Sequence, residues 1–299
     1  VSWKYIVVAG PTASGKSGLA LQLAQALNGE IVNCDSVQIY RGFDIGAAKP
    51  SQAEFDLVPH HLFDIADAGD DFDAAQYARR ARGAIEDIRS RRSIPIVVGG
   101  TGLYLRSLWG QGFHNLPKDE RLREELSRLS ADDLMAELKS RDPVRASELH
   151  INDRFRLQRA VELSRLLGHP MSDLEKCSDA SDDAFKIRMV LDRAGLHKRI
   201  AQRAKLMLQE GFIEEVKELL ATGVQPDSKP MLSIGYRQVV EYLRSGEDLA
   251  KLQEKITIAT RQYAKRQETW FKKVDFDFAY QKGKQEELLE TLRETMPKD

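Results

Sequence analysis

The chain has 299 residues, 42% hydrophobic and 30% charged, with a net charge of −1. This is the balance of a soluble globular protein with one large domain or two smaller ones, and it excludes a global basic field, so any nucleic-acid surface must come from local segregation of charge. No apolar run approaches the ~20 residues of a membrane span, and Cys34 and Cys177 offer neither zinc spacing nor a disulfide framework, which suits a reducing cytoplasm.

Tyr5–Ala9 is short, apolar and β-branched, as a buried parallel strand should be. It runs into Gly10-Pro11-Thr12-Ala13-Ser14-Gly15-Lys16-Ser17, which matches the phosphate-loop pattern G-x-x-x-x-G-K-[ST]. Leu19, Ala20, Leu23, Ala24 and Leu27 then recur at helical spacing. Strand, glycine turn and helix N-terminus together make an anion cradle, to which Lys16 adds a full charge and Ser17 a hydroxyl suited to Mg²⁺. Glu30–Cys34 reads as the second strand and ends at Asp35-Ser36, where functional groups of open α/β sheets gather. Residues 37–50 read as a short helix and an ordered loop. His60–Ile65 reads as a short strand, on which adjacent histidines face opposite ways and do not converge on one metal ion. A helix over Phe72–Arg92 precedes the buried strand Ile94–Val98, and Gly99-Gly100-Thr101-Gly102 opens the helix Leu103–Leu108, repeating the opening design.

From about Phe113 the character changes. Residues 117–180 are charged and helical in pattern, with helices over Arg121–Leu129, Asp132–Lys139 and Asn152–Leu167 and a serine-rich acidic hinge at Cys177–Asp183. A strand returns at Phe185–Leu191, followed by helices over Leu196–Gln209 and Ile213–Ala221 and a loop over Pro226–Gly235. Asp248–Lys273 is a long helix with a basic face and interleaved aromatics, and a strand at Phe276–Tyr280 and a helix at Glu286–Arg293 finish the chain. The fold class is therefore α/β, a P-loop NTPase-like core with a parallel sheet over 1–113 and 184–299, carrying an inserted all-helical domain over 114–183.

These parts serve a P-loop small-molecule kinase, with Asp35 as base and Arg199 and Arg203 as a phosphate clamp, and they serve equally a reaction in which diphosphate leaves carbon. The arginine-rich insertion and the basic C-terminal helix favour an extended anionic partner. A non-catalytic RNA-binding module has no need of Asp35 beside a complete phosphate loop.

Seven segments in order carry a resemblance: Gly10–Ser17; Asp35-Ser36-Val37-Gln38-Ile39-Tyr40; Asp44-Ile45-Gly46-Ala47-Ala48-Lys49-Pro50; Val98–Tyr104; Arg156–Glu162; Ile234-Gly235-Tyr236-Arg237-Gln238; and Thr260–Phe271. Over almost its whole length the chain resembles the bacterial tRNA dimethylallyltransferase family, also called isopentenyl-diphosphate:tRNA isopentenyltransferases. Ala47 stands where that family usually has Thr, so no hydroxyl is available at this position.

The resemblance implies transfer of a dimethylallyl group from dimethylallyl diphosphate to N6 of the adenosine 3′-adjacent to the anticodon, in tRNAs reading codons that begin with U. By that resemblance Gly10, Pro11, Thr12, Ala13, Ser14, Gly15, Lys16 and Ser17 bind the diphosphate, and Ser17 binds Mg²⁺. Asp35 is the general base, Thr101 contacts the diphosphate bridge and steers the acceptor, and Lys16 and Arg203 stabilise the leaving group. The positions matching tRNA contacts are Asp35, Ser36, Val37, Gln38 and Thr101; Arg123, Phe155, Arg156, Leu157, Gln158 and Arg159; Leu232, Ser233, Ile234, Gly235, Tyr236 and Arg237; and Lys265, Arg266, Gln267, Glu268, Thr269, Trp270, Phe271 and Lys272. The partner implied is a tRNA anticodon stem-loop, bound by a monomer in the cytoplasm with no membrane association. An adenylate isopentenyltransferase, which prenylates a free nucleotide, is the nearest alternative enzyme.

Overall fold

The structure, a computed structural model, describes residues 3–110, 116–173 and 183–296. Cys177 and most of the expected hinge, and the expected boundary at Phe113, lie outside these residues. The fold divides into two compact units, Val1–Leu105 with Asp182–Asp299, and Arg106–Ser181.

In the first unit, β1 (Tyr5–Ala9) is buried at every position, as its unbroken apolar run requires. The phosphate loop follows, and α1 (Lys16–Leu27) buries Leu19, Ala20, Leu23, Ala24 and Leu27. Next come β2 (Gly29–Cys34), α2 (Gln52–Leu57), β3 (His60–His61), α3 (Ala74–Ser90), β4 (Ile94–Gly99) and α4 (Gly102–Leu108). In the second unit α5 (Glu120–Ser127), α6 (Ala131–Arg141), α7 (Pro143–Glu148) and α8 (Arg154–Leu167) close on Leu126, Leu134, Leu138, Leu157 and Val161. The first unit resumes with β5 (Ala184–Met189), α9 (Arg193–Gln209), α10 (Phe212–Ala221), α11 (Tyr236–Ser245), α12 (Leu249–Phe271), β6 (Phe278–Tyr280) and α13 (Gln285–Thr295).

Among the described residues the strands form one six-stranded sheet, ordered β3-β2-β4-β1-β5-β6, with every neighbouring pair parallel. Because all strands point one way, their carboxyl ends collect on one edge. The register pairs Ala9 with Gly99 and Cys34 with Gly99, so the three segments that follow β1, β2 and β4 emerge side by side. These are the phosphate loop, Asp35–Gln38 and the Gly100–Gly102 turn.

Two sequence expectations are corrected. The strand read over His60–Ile65 is only His60–His61, because Leu62 and Asp64 turn into positive φ of 65° and 53° and break the extended run. The short helix read after Asp35 is a series of turns, held because Asp35 Oδ1 accepts the Val37 and Gln38 N–H groups. Three helices go beyond the sequence reading. They are α2, opened by a Ser51/Glu54 capping box; α7, with Asp142 as N-cap and Pro143 in its first turn; and α11.

Candidate active site

The phosphate loop ends at Gly15, whose φ of +89° is the left-handed conformation that glycine adopts without a Cβ penalty. The α1 N-terminus and the side chains of Lys16 and Ser17 then line a cleft of about 780 Å³. The facing wall is α9, where Asp192 caps the helix by accepting the Gly195 N–H at 2.7 Å. Arg199 and Arg203, one turn apart on α9, reach the loop directly. Arg199 Nη1 donates to the Ser14 carbonyl at 3.2 Å and Arg203 Nη1 to Thr12 Oγ1 at 3.5 Å. Burial brings the Lys16 ammonium down to about 8; Asp35 opposes that shift and the neighbouring Arg203 adds to it. Burial likewise lowers Arg203, again against the pull of Asp35. Three cations converging on a loop of backbone N–H groups make a polyanion site.

A smaller chamber of about 120 Å³ shares Lys16, Ser17 and Arg203 with the cleft. Asp35 lines it, opposite apolar walls from Leu21, Ile31, Phe63 and Val98. Asp35 is fixed through both its backbone and its side chain. Asn33 Oδ1 accepts the Asp35 N–H at 2.9 Å, and Asp35 Oδ1 accepts Val37 N–H at 2.9 Å. Thr101 Oγ1 accepts the Ser36 N–H at 3.2 Å and lies 3.4 Å from Ser36 Oγ, so the β2 and β4 ends are stitched together beside the carboxylate.

Ala48, Lys49 and Pro50 form a wall common to the cleft and the chamber, and Asp44 and Ile45 extend it along the cleft. Glu215, on α10, holds that wall from behind. Its carboxylate accepts Asp44 N–H at 3.0 Å, Ile45 N–H at 2.5 Å, Gly46 N–H at 3.2 Å and the Tyr236 hydroxyl at 2.7 Å. From the other side Gln38 Nε2 donates to the Ala47 and Ala48 carbonyls at 3.1 and 2.9 Å. Lys49 donates to the Tyr40 carbonyl at 2.7 Å and pairs with Asp44 and Asp64.

His60 and His61 diverge, as alternation along a strand requires. His60 Nδ1 faces the Val58 carbonyl and its ring meets Phe55 and Phe63, whereas His61 Nε2 lies 2.7 Å from Glu30. Among the described residues no group of three or more His, Cys, Asp or Glu is placed to hold a metal ion.

A model of the IPP transferase family matches residues 38–274. The chain belongs to the IPP transferase family. It is 44% identical to the tRNA dimethylallyltransferase of Geobacter sulfurreducens, covering 90% of this chain and 89% of that one. It is 45% identical to tRNA dimethylallyltransferase 2 of Geotalea uraniireducens, covering 92% and 90%. Among solved structures it is similar to the full-length tRNA isopentenylpyrophosphate transferase of Bacillus halodurans, with a TM-score of 0.70, 33% identity and coverage of 98% and 97%. It is also similar to a eukaryotic dimethylallyltransferase acting on tRNA, with a TM-score of 0.84, 28% identity and coverage of 99% and 81%.

Of the expected catalytic residues, the fold brings Lys16, Asp35 and Arg203 together on the chamber lining in the first unit, and sets Thr101 next to them through its bond with Ser36. The residues expected at tRNA divide by exposure. Phe155 is 81% exposed and Leu232 54%, while Arg156, Arg237, Lys265, Arg266, Thr269 and Lys272 have exposed side chains. Leu157, Tyr236, Gln267 and Phe271 are buried, so their side chains shape the surface from beneath. In the helical unit the buried Glu162 accepts from Arg123 Nε at 2.9 Å, Arg159 Nη1 at 2.6 Å and Asp119 N–H at 3.1 Å, which fixes two guanidinium groups at once. Gln158 Nε2 donates to the Arg123 carbonyl at 2.9 Å.

Two site residues escape sequence reasoning. Glu215 contacts backbone some 170 positions earlier in the chain, and nothing local to helix α10 signals that. Tyr263 looks like one aromatic among several on a basic helix. Its phenol lies beside the Thr101 side chain, and burial with the nearby Asp35 charge pushes it up to about 12, which keeps it protonated.

Proposed function

We propose that this protein transfers the dimethylallyl group of dimethylallyl diphosphate to N6 of the adenosine 3′-adjacent to the anticodon, in tRNAs reading codons that begin with U, releasing diphosphate. The observation that carries this reading is one chamber in which Asp35 and apolar walls meet the Lys16–Arg203 edge of the phosphate loop. A kinase needs the cations and the base; the apolar wall beside the base suits a hydrocarbon donor.

The phosphate loop Gly10–Ser17, through its N–H groups at the α1 N-terminus, binds the diphosphate with Lys16, Arg199 and Arg203. The N6 lone pair forms the new bond to the prenyl C1 as the C1–O bond breaks, and the bonding pair leaves with the diphosphate. Asp35 takes the proton that N6 releases. Lys16 and Arg203 neutralise the charge that grows on the departing oxygen. Thr101, tied to Ser36 and beside the Tyr263 phenol, orients the acceptor beside Asp35. An adenosine stacked in the anticodon loop cannot reach this chamber, so the base must be flipped out.

The Ser17 hydroxyl is exposed at the start of α1, and no carboxylate cluster competes for a divalent ion among the described residues. That donor set fits Mg²⁺, which keeps waters and substrate phosphate oxygens as most of its ligands. When bound, Mg²⁺ supplies charge neutralisation on the diphosphate.

The division of labour is a catalytic core over 1–113 and 184–299, and a tRNA-binding helical domain over 114–183. The protein acts as a monomer in the cytoplasm; among the described residues no helix is long and apolar enough to cross a membrane. Arg156 and Phe155, both exposed, offer a charge and a stacking face to a single-stranded loop. Arg156→Ala reduces the slope of log K against log salt for tRNA binding by about 0.7–0.9, the loss of one phosphate contact. A filter-binding series across salt measures it, and an unchanged slope removes Arg156 from the interface.

The deciding experiment supplies labelled dimethylallyl diphosphate and Mg²⁺ with either tRNA or AMP. Label appears in tRNA. Label in AMP alone would make the protein an adenylate isopentenyltransferase, and transfer from ATP without prenylation would make it a kinase.

A further inference from the structure

The resemblance places Gln267 among surface residues that touch tRNA, but the fold turns its side chain inward. Gln267 is 6% exposed, while its neighbours Lys265, Arg266 and Thr269 face solvent on α12. Its amide spans the two halves of the site. Oε1 accepts the Thr12 N–H of the phosphate loop at 2.9 Å, and Nε2 donates to the Gly100 carbonyl at 2.8 Å. Gly100 precedes Thr101, and Thr101 Oγ1 accepts from Ser36, which adjoins Asp35. A continuous path of hydrogen bonds and peptide units thus runs from the diphosphate cradle through Gln267 to the base.

The rest of this helix face supports the same placement. Tyr263, Gln267 and Trp270 stand at i, i+4 and i+7, one stripe of α12. The stripe lies across three successive residues of the β4–α4 turn. Gln267 meets Gly100, the Tyr263 phenol meets Thr101, and the Trp270 indole lies so close to Gly102 that a Cβ there would approach it to 2.7 Å. Only a side-chain amide offers an acceptor and a donor on one short fork, which is what a bridge between an N–H and a carbonyl needs.

We propose that Gln267 is a positioning residue for prenyl transfer, coupling the loop that holds the diphosphate to the turn that carries Thr101 and so fixing the donor carbon against the acceptor amine. This rests on the prenyl-transfer reading above. Gln267 touches neither substrate. It sets the distance between groups that do, and a misplacement of about 1 Å costs roughly 100-fold in rate.

Two variants test it. Gln267→Glu keeps the shape and the acceptor for Thr12 but sets a carboxylate oxygen against the Gly100 carbonyl. Gln267→Met keeps the length and removes both bonds. Each is measured for kcat at saturating substrates, for tRNA affinity across salt, and for the melting transition, beside the native protein. Gln267→Glu lowers kcat about 100-fold, with tRNA affinity and its salt slope unchanged, and Gln267→Met behaves the same way if it folds. A variant that melts as a folded protein and keeps the native kcat overturns the proposal. So does one that keeps kcat and loses tRNA affinity, since that is the signature of an RNA contact. Failure of the native protein to label tRNA would instead defeat the underlying reading.

Discussion

Asp35→Ala leaves dimethylallyl diphosphate binding intact and lowers transfer to tRNA by about 10²–10⁴-fold, the range a positioned general base supplies. The separation follows from where Asp35 sits. It lies at the end of β2, outside the phosphate loop, and its charge acts on the diphosphate-binding cations Lys16 and Arg203 only by favouring their protonated forms. Removing it frees the Val37 and Gln38 N–H groups in a partly exposed turn, a cost of about 1 kcal/mol that a folded domain tolerates. Asp35→Asn refines the result, because it keeps an oxygen for those two N–H groups and loses only the ability to take a proton. Both variants fall together in single-turnover transfer, while calorimetry with dimethylallyl diphosphate reads native affinity. Near-native turnover in either one removes Asp35 as the base.

Lys16→Met gives the second large effect, a loss of about 10²–10³-fold in transfer, the scale of one missing charge-stabilising donor. A pH dependence identifies the cause. In the free protein burial holds the Lys16 ammonium near 8, so above that pH Lys16 is increasingly neutral. A bound diphosphate favours the charged form and raises the value again. Binding above pH 8 therefore takes up a proton, and affinity for dimethylallyl diphosphate weakens about tenfold for each further pH unit until the bound-state value is reached. Below pH 8 this dependence is absent. In Lys16→Met it disappears throughout, leaving a uniformly weak site. Titrations between pH 7 and 10 measure both, and a native curve flat to pH 10 assigns the charge elsewhere.

The chemistry was legible wherever it is written in contiguous residues. Gly10–Ser17 announces itself because a strand, a glycine turn and a helix start must follow one another to build an anion cradle. Asp35 and Thr101 were legible because parallel strands deliver their carboxyl ends to one edge, and the pairing of Cys34 with Gly99 brings the two together. Helices α2, α7 and α11 carried local signals as well. Ser51 with Glu54 is a capping box, Asp142-Pro143 is a cap with a first-turn proline, and Tyr236, Val239 and Val240 lie at helical spacing. The φ reversal at Leu62 has no comparable signature, since Leu rarely adopts that conformation, and the Asp64 that follows, although of a type enriched there, is a weak signal alone. Gln267 and Glu215 were illegible for a different reason. Each satisfies backbone groups more than 160 positions away, and such pairing is decided by packing rather than spacing.

The Glu215 carboxylate also shows how a cleft wall is made firm without a strand or a helix. Three successive backbone N–H groups, those of Asp44, Ile45 and Gly46, form a concavity that attracts anions. Asp44 and Ile45 line the cleft, and Glu215 closes the concavity from behind them. An anion of the protein's own thus serves as the bolt of an irregular loop. The wall is held by the same chemistry that the phosphate loop offers its substrate, turned from binding to support.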